Sequence, residues 1–336
     1  MAIDEVTRAP EATATGSSRS QWVSDHLMEL SGLVALIACL ALFEILRPSI
    51  FLTSGNISVI LSNSSVAAVL AAGLSVSLVA GQFDLSIGEA LALSGVIVAK
   101  LIDVGAPWWV AILAAVAAAA LVGVINGVLT VRGGVPSIVA TLGMQSVLLG
   151  ILVWATNDAY IQILPQGLPK FGRDSIAGVP DIAIVMLALC LAGALAMRYT
   201  TAGRNLQAVG RNPEAARLAG INVGGYVLGS LVCTAAFAGI AGVLLAANLS
   251  GGHPEVGPGY VLPAFAAAFL GAAAHRTGTF TFIGGLYGAI LLSAVSNGLV
   301  VADAADWTSN VVAGLVLIGA VVLSRVARRR ALAQQR

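Results

Sequence analysis

Residues 107–131 read PWWVAILAAVAAAALVGVINGVLTV. From Val104 to Val131 there is no acidic or basic side chain. Wound as an α-helix, such a stretch is roughly 37 Å long, enough to cross the hydrocarbon core of a bilayer. Its apolar residues do not alternate with period two, so a barrel strand is not the reading. Nine further apolar runs flank it, and the ten lie near 30–47, 57–80, 85–103, 107–131, 136–155, 181–199, 223–248, 261–274, 280–301 and 308–325. The eighth is short for a straight span and is expected to be bent or broken. Of the 336 residues 58% are hydrophobic and 10% charged, whereas a soluble domain carries about a quarter charged residues. Lipid must therefore solvate this chain, and in lipid every backbone polar group needs an internal partner. The expected fold is all-α: a polytopic membrane protein of about ten transmembrane helices in a bilayer.

Arginine and lysine set the orientation. With the N-terminus inside, 13 of the 17 basic residues fall on the inner side and four, Arg47, Lys100, Lys170 and Arg173, on the outer. Both termini are then cytoplasmic: residues 1–25 form a polar, disordered tail, 26–326 the membrane domain, and 327–336 a basic tail. No small-residue cleavage site follows the first apolar run, so no signal peptide is read. A net charge of +1 gives no case for nucleic acid. Cys39, Cys190 and Cys233 sit in apolar runs as small buried hydrophobes, and no metal or cofactor is called for. The chain also matches itself at an offset of 171 residues: Gly81 on Gly252, Asp84 on Glu255, Gly88 on Gly259, Asn126-Gly127 on Asn297-Gly298. That offset equals five spans, an odd number, so the second copy would be inverted, as in many transporters.

The longest inner loop, 200–222, reads TTAGRNLQAVGRNPEAARLAGIN. Asn212 is placed to cap a short helix, Pro213 has the preset φ of a first helical position, and Glu214 suits the positive end of the dipole. Ala215, Ala216, Arg217 and Leu218 continue it, and Gly220 supplies a left-handed stop. Two turns of helix are marginal alone, so it docks either on its own bundle or on a cytoplasmic partner.

Asp84 and Glu89 flank the junction of the second and third spans. A carboxylate at the bilayer centre costs roughly 2.5–3.5 kcal/mol. Two readings stand together. Ser86 and Glu89 fit a capping box that starts the third helix, or Asp84 and the exposed amides of a broken helix bond a solute. Asn126, Thr141, Gln145, Asn248 and Asn297 are polar within apolar runs, and interhelical hydrogen bonds are their commoner fate. The pairs Gly123/Gly127, Gly225/Gly229 and Gly284/Gly288 have the spacing that lets helices approach closely. Glu44 and Arg47 read as a local ion pair. His253 and His275 lie in loops without catalytic company. Trp108 and Trp109 suit the outer interface, Trp22 the inner one. No paired acid–base, nucleophile or metal constellation supports an intramembrane enzyme.

The segment AVGRNPEAARLAGI resembles the coupling-loop signature of ABC-importer permeases of the branch serving ribose-type sugars. Ala208, Gly210, Asn212, Ala215, Ala216, Gly220 and Ile221 carry the likeness. GQFDLSIG at 81–88, PSIVATLG at 136–143 and Gly257-Pro258-Gly259-Tyr260 are similar to further runs of that family, in family order, over about residues 55–325. Gln82 and Phe83 replace the usual Gly and Ile, and GAAAHRTG at 271–278 departs from the usual glycine-rich stretch.

The resemblance implies a permease subunit that works by alternating access for a monosaccharide or small polyol. ATP would be hydrolysed on a separate cytoplasmic ATPase chain. An extracytoplasmic solute-binding protein and a second permease chain, as a homodimer, would complete the assembly in a bacterial inner membrane. The sequence agrees in lacking any Gly-x-x-x-x-Gly-Lys-Ser/Thr run. Arg211, Asn212, Pro213, Glu214, Ala215, Ala216, Arg217, Leu218 and Gly220 would form the coupling element, with Ala215, Ala216 and Leu218 filling the contact. Gln82, Asp84, Ser86, Asn126, Thr141, Gln145 and Asn248 are the candidate path. A permease for branched-chain amino acids or nucleosides, and an ion-driven carrier centred on Asp84, are the alternatives.

Overall fold

The computed structural model describes residues 34–163, 172, 174–274, 278–305 and 307–333. The expectations for the tail 1–25, Trp22, Lys170, Arg173, His275 and Arg276 lie outside the described residues, as does the end of the basic tail.

Among the described residues the helices are α1 (Val34–Leu46), α2 (Ser54–Val79), α3 (Ile87–Asp103), α4 (Trp108–Val131), α5 (Ser137–Thr156), α6 (Asp181–Tyr199), α7 (Thr201–Arg211), α8 (Pro213–Leu218), α9 (Val223–Leu249), α10 (Pro258–Ala274), α11 (Phe282–Val301) and α12 (Trp307–Ala333). A helix occupies each of the expected apolar segments. Six of them, α2, α4, α5, α6, α9 and α11, are long and apolar enough to cross a membrane. The chain is an all-α polytopic membrane protein. Two antiparallel strand pairs of two residues each, β1 (Ile161–Gln162) with β4 (Gly251–Gly252) and β2 (Ser175–Ile176) with β3 (Val179–Pro180), tie loops together.

α2 and α9 form the buried centre and pack on each other. The Thr234 hydroxyl donates to the Gly73 carbonyl across that seam at 2.8 Å. α4, α5 and α6 surround the centre and turn Leu113, Leu142, Trp154 and Leu191 outward, the surface of a protein solvated by hydrocarbon. Packing repeats between the halves. α4 lies on α9 as α11 lies on α2, α3 on α9 as α10 on α2, and α3 on α4 and α5 as α10 on α11 and α12. Moving the bounds of α10 back by 171 residues gives 87–103, the bounds of α3. The side chains diverge more than the backbone does: Asp84 is buried and Glu255 exposed. α3 and α10 meet at their first turns. A Cβ on Gly88 would lie 2.5 Å from the Gly257 carbonyl oxygen, and one on Gly257 2.7 Å from the Gly88 carbonyl carbon.

Two of the three glycine pairs make helix seams. A Cβ on Gly123 would lie 2.7 Å from the Leu231 carbonyl, and one on Gly127 2.8 Å from Leu228 Cγ, so α4 seats directly on α9. Gly284 and Gly288 do the same against Gly271 and Ala267 of α10. Gly225 and Gly229 do not: the first faces only its own cap residue Asn222 and the second open space. Spacing alone does not distinguish a glycine face turned to a neighbour from one turned outward. The Glu44–Arg47 pair is also corrected. Arg47 pairs with Asp303, and Glu44 accepts the Ser49 and Leu52 amides at 3.1 and 3.0 Å, because the turn after α1 presents free N–H groups nearer than the guanidinium.

Gly127→Leu should therefore lower stability by about 1–3 kcal/mol through overpacking, while Gly229→Leu should leave it unchanged. Thermal unfolding of both variants in detergent checks this; equal melting would dissolve the α4–α9 seam.

Candidate functional site

Between α2 and α3 the backbone leaves the helix at Ala80 and re-enters it at Ile87. Gly81, at φ +77°, makes the turn, and the Gln82 amide closes on the Ser77 carbonyl at 2.8 Å. Beyond it the amides have no helical acceptor, and in an apolar bundle an unpaired N–H is costly. Side chains supply the acceptors. The Phe83 amide donates to Ser137 Oγ at 3.2 Å and the Leu85 amide to Thr141 Oγ1 at 3.1 Å, both from the first turns of α5. Thr141 in turn donates to the Ser137 carbonyl at 2.8 Å. Asp84 Oδ1 accepts the Ser86 amide at 2.9 Å and the Ser86 hydroxyl at 2.7 Å. Asn126 of α4 donates to Ser86 Oγ at 2.9 Å. Asn126, Ser86, Asp84 and Thr141 are all fully buried.

The expected capping box is absent. Ser86 has helical backbone angles and makes no side-chain cap, because its hydroxyl is taken by Asp84. Glu89 does not reach back. It is fully buried, and among the described residues neither of its oxygens has a partner in hydrogen-bond geometry; a Cβ on Gly257 would sit 2.6 Å from its Oε2. The missing side chain at Gly257 gives the carboxyl group room across the α3–α10 crossing. Asp84 Oδ2 and Asn126 Oδ1 are likewise buried without a partner among the described residues.

In front of this stitched segment lies a cavity of about 820 Å³ between α2, α5, α10 and α12. Gly81, Phe83 and Leu85 form one wall, and Gln145 is the polar side chain that reaches it. Of the expected path residues, Gln145 alone lines this cavity. Asp84, Ser86, Asn126 and Thr141 stand behind the wall and hold it, Gln82 is half-buried beside it, and Asn248 is half-buried at the far end of α9. The rest of the lining is apolar, with four phenylalanines among leucines and valines. Phe83 stacks on Phe265 with ring centroids 6.3 Å apart, and Phe269 meets Phe280 edge to face at 5.0 Å. Sequence reading passed over these rings because phenylalanine inside an apolar run has no mark to separate a cavity wall from a lipid face.

The inner loop folds into two helices where one was expected. Thr200 caps α7 by accepting the Gly203 amide at 3.1 Å, and Gly203, Leu206 and Val209 point inward. That threonine and the three-residue spacing were the available signal. α8 matches its expected grammar: Asn212 Oδ1 accepts the Ala215 amide at 3.0 Å, Pro213 opens it, and Gly220 stops the run at φ +82°. Its faces are a correction. Ala216 is 4% exposed, packed with Val209 and Val227 against Tyr226, while Leu218 is 90% exposed. Arg211, Pro213, Glu214, Ala215 and Arg217 share the outer side with Leu218. A helix of six residues turns only one small side chain inward here, so Ala216 fills the bundle and cannot fill an outer contact.

Residues 56–321 match the model of the family described as branched-chain amino acid transport system / permease component. The chain is 32% identical over 315 residues to the ribose import permease protein RbsC of Escherichia coli (strain K12), covering 93% of this chain and 98% of that one. It is 31% identical over 308 residues to the autoinducer 2 import system permease protein LsrC of Enterobacter sp. (strain 638), covering 92% and 90%.

Thr141→Val keeps the shape of the wall and strips the acceptor from the Leu85 amide, so a loss of about 1–3 kcal/mol is expected. Thr141→Ser should retain wild-type stability. Unfolding curves that place the valine variant with the wild type would show that these bonds do not hold the segment.

Proposed function

This chain belongs to the branched-chain amino acid transport system permease family, and from that premise we propose that it is the membrane subunit of an ATP-driven importer for a monosaccharide or related small polyol. The names of its relatives support this solute class: one imports ribose, the other autoinducer 2. The aromatic cavity suits it too. Aromatic faces pack against the C–H face of a sugar ring, Gln145 offers a donor and an acceptor to hydroxyl groups, and no strong charge is required of such a path. ATP is hydrolysed on a separate cytoplasmic chain, a solute-binding protein delivers from outside, and two copies of the permease form the path in the bacterial inner membrane.

Ten helices cross, with both termini cytoplasmic. α2–α5 and α9–α12 are inverted copies, which the coincidence of helix bounds and of neighbour pairs supports. Inverted halves that meet at Gly88 and Gly257 suit alternating access, in which one half rocks against the other.

The observation that carries the reading is Leu218. A leucine that is 90% exposed on a capped, six-residue helix, flanked by exposed Glu214 and Arg217, is a contact awaiting a partner, and the ATPase is the partner that the family requires. Co-expression with that ATPase and purification in detergent provide the test. Leu218→Asp should reduce retained ATPase by about tenfold or more without changing the melting of the permease. Ala216→Asp should instead destabilise the permease itself. Failure of the wild type to retain the ATPase, or full retention by Leu218→Asp, overturns the docking assignment.

A further inference from the structure

A second cavity, of about 720 Å³, opens where α6 ends and α7 begins, on the other side of α2 and α10 from the aromatic one. Arg198, Arg204 and Gln207 make up much of its polar lining, and Met197, Phe282 and Ile283 much of its apolar lining. Among the described residues the two cations are uncompensated. Arg198 lies over the Tyr199 ring, 5.4 Å from its centroid, and Arg204 Nη1 donates to the Tyr199 carbonyl at 3.4 Å. Among the described residues neither guanidinium has a carboxylate within ion-pair distance; the pair found there is Arg47 with Asp303. Each guanidinium carries five donors in a planar fork that matches phosphate, and nearly all of them are uncommitted. The place is also fixed: α6 is a 19-residue apolar helix, and α7, its polar successor, starts after a single capping residue. The cavity therefore straddles the boundary between hydrocarbon and water, and the exposed Leu191 and Leu195 continue its apolar lining along α6.

We infer that this cavity binds the head of an anionic phospholipid, with its phosphate on Arg198 and Arg204 and its acyl chains along α6. Basic pockets between membrane helices at this level hold such heads. A free phosphate would use the guanidinium groups but leave the apolar lining uncovered. The site shares only Phe280 with the aromatic cavity and takes no residue from α8, so its loss would leave the transport reading standing.

The test uses the purified chain in a zwitterionic detergent, with dioleoyl phosphatidylglycerol, dioleoyl phosphatidylcholine and inorganic phosphate as probes, read by native mass spectrometry and thermal melting. Phosphatidylglycerol should be retained and raise the melting temperature, and phosphatidylcholine should do neither. The double variant Arg198→Gln/Arg204→Gln should bind phosphatidylglycerol roughly 30-fold more weakly, from two lost cationic contacts. In the wild type, binding should weaken as salt is raised, a readout that does not depend on how the variant folds. Equal retention of phosphatidylcholine, undiminished binding in the variant, or indifference to salt would each overturn the site. Inorganic phosphate reproducing the full melting shift would overturn the lipid assignment in favour of a free anion.

Discussion

A backbone that leaves the helix inside an apolar bundle must find acceptors that water would otherwise provide. Seven residues, Ala80 to Ser86, impose that demand here. Helix geometry cannot meet it, since the helical ladder stops at Val79. It is met by the hydroxyls of Ser137 and Thr141 and by the Asn126–Ser86–Asp84 chain. The position of α5 against α3 follows from these bonds, and so does the aromatic wall that Phe83 helps to build. Polar residues scattered through apolar runs are here concentrated on one task.

The apolar segments were legible because lipid imposes a strong compositional rule, and the helices found in each of them reflect that rule. The grammar of α8 was legible because caps are local: Asn212, Pro213 and Gly220 act within one turn of themselves. Legibility ended where the outcome depended on a neighbour. Ser86 and Glu89 spelled a capping box, yet Asp84, two residues before Ser86, had the stronger claim on its hydroxyl. Ala216 and Leu218 were indistinguishable as filler of a contact until the rotation of α8 against Val209 and Val227 was known. Gly225 and Gly229 had the right spacing on the wrong face.

The candidate path divides in the same way. Gln145 lines the cavity, whereas Asp84, Ser86, Asn126 and Thr141 build its wall from behind. Sequence reading found polar residues that matter without separating the residue that meets a solute from those that hold the backbone in place. The phenylalanine rings in the lining carry no periodic or chemical signal in a chain this apolar.

The stitching has a consequence for how such a chain is made. Its bonds reach forward: Ser86 waits for a residue 40 positions later, Phe83 for one 54 later and Leu85 for one 56 later. A chain that enters the membrane from its N-terminus exposes the segment after α2 well before α4 and α5 exist to satisfy it. Released one at a time, α2 and α3 would carry bare amides and two carboxyl groups into lipid. The segment after α2 is therefore satisfied late in synthesis, once α4 and α5 have followed it.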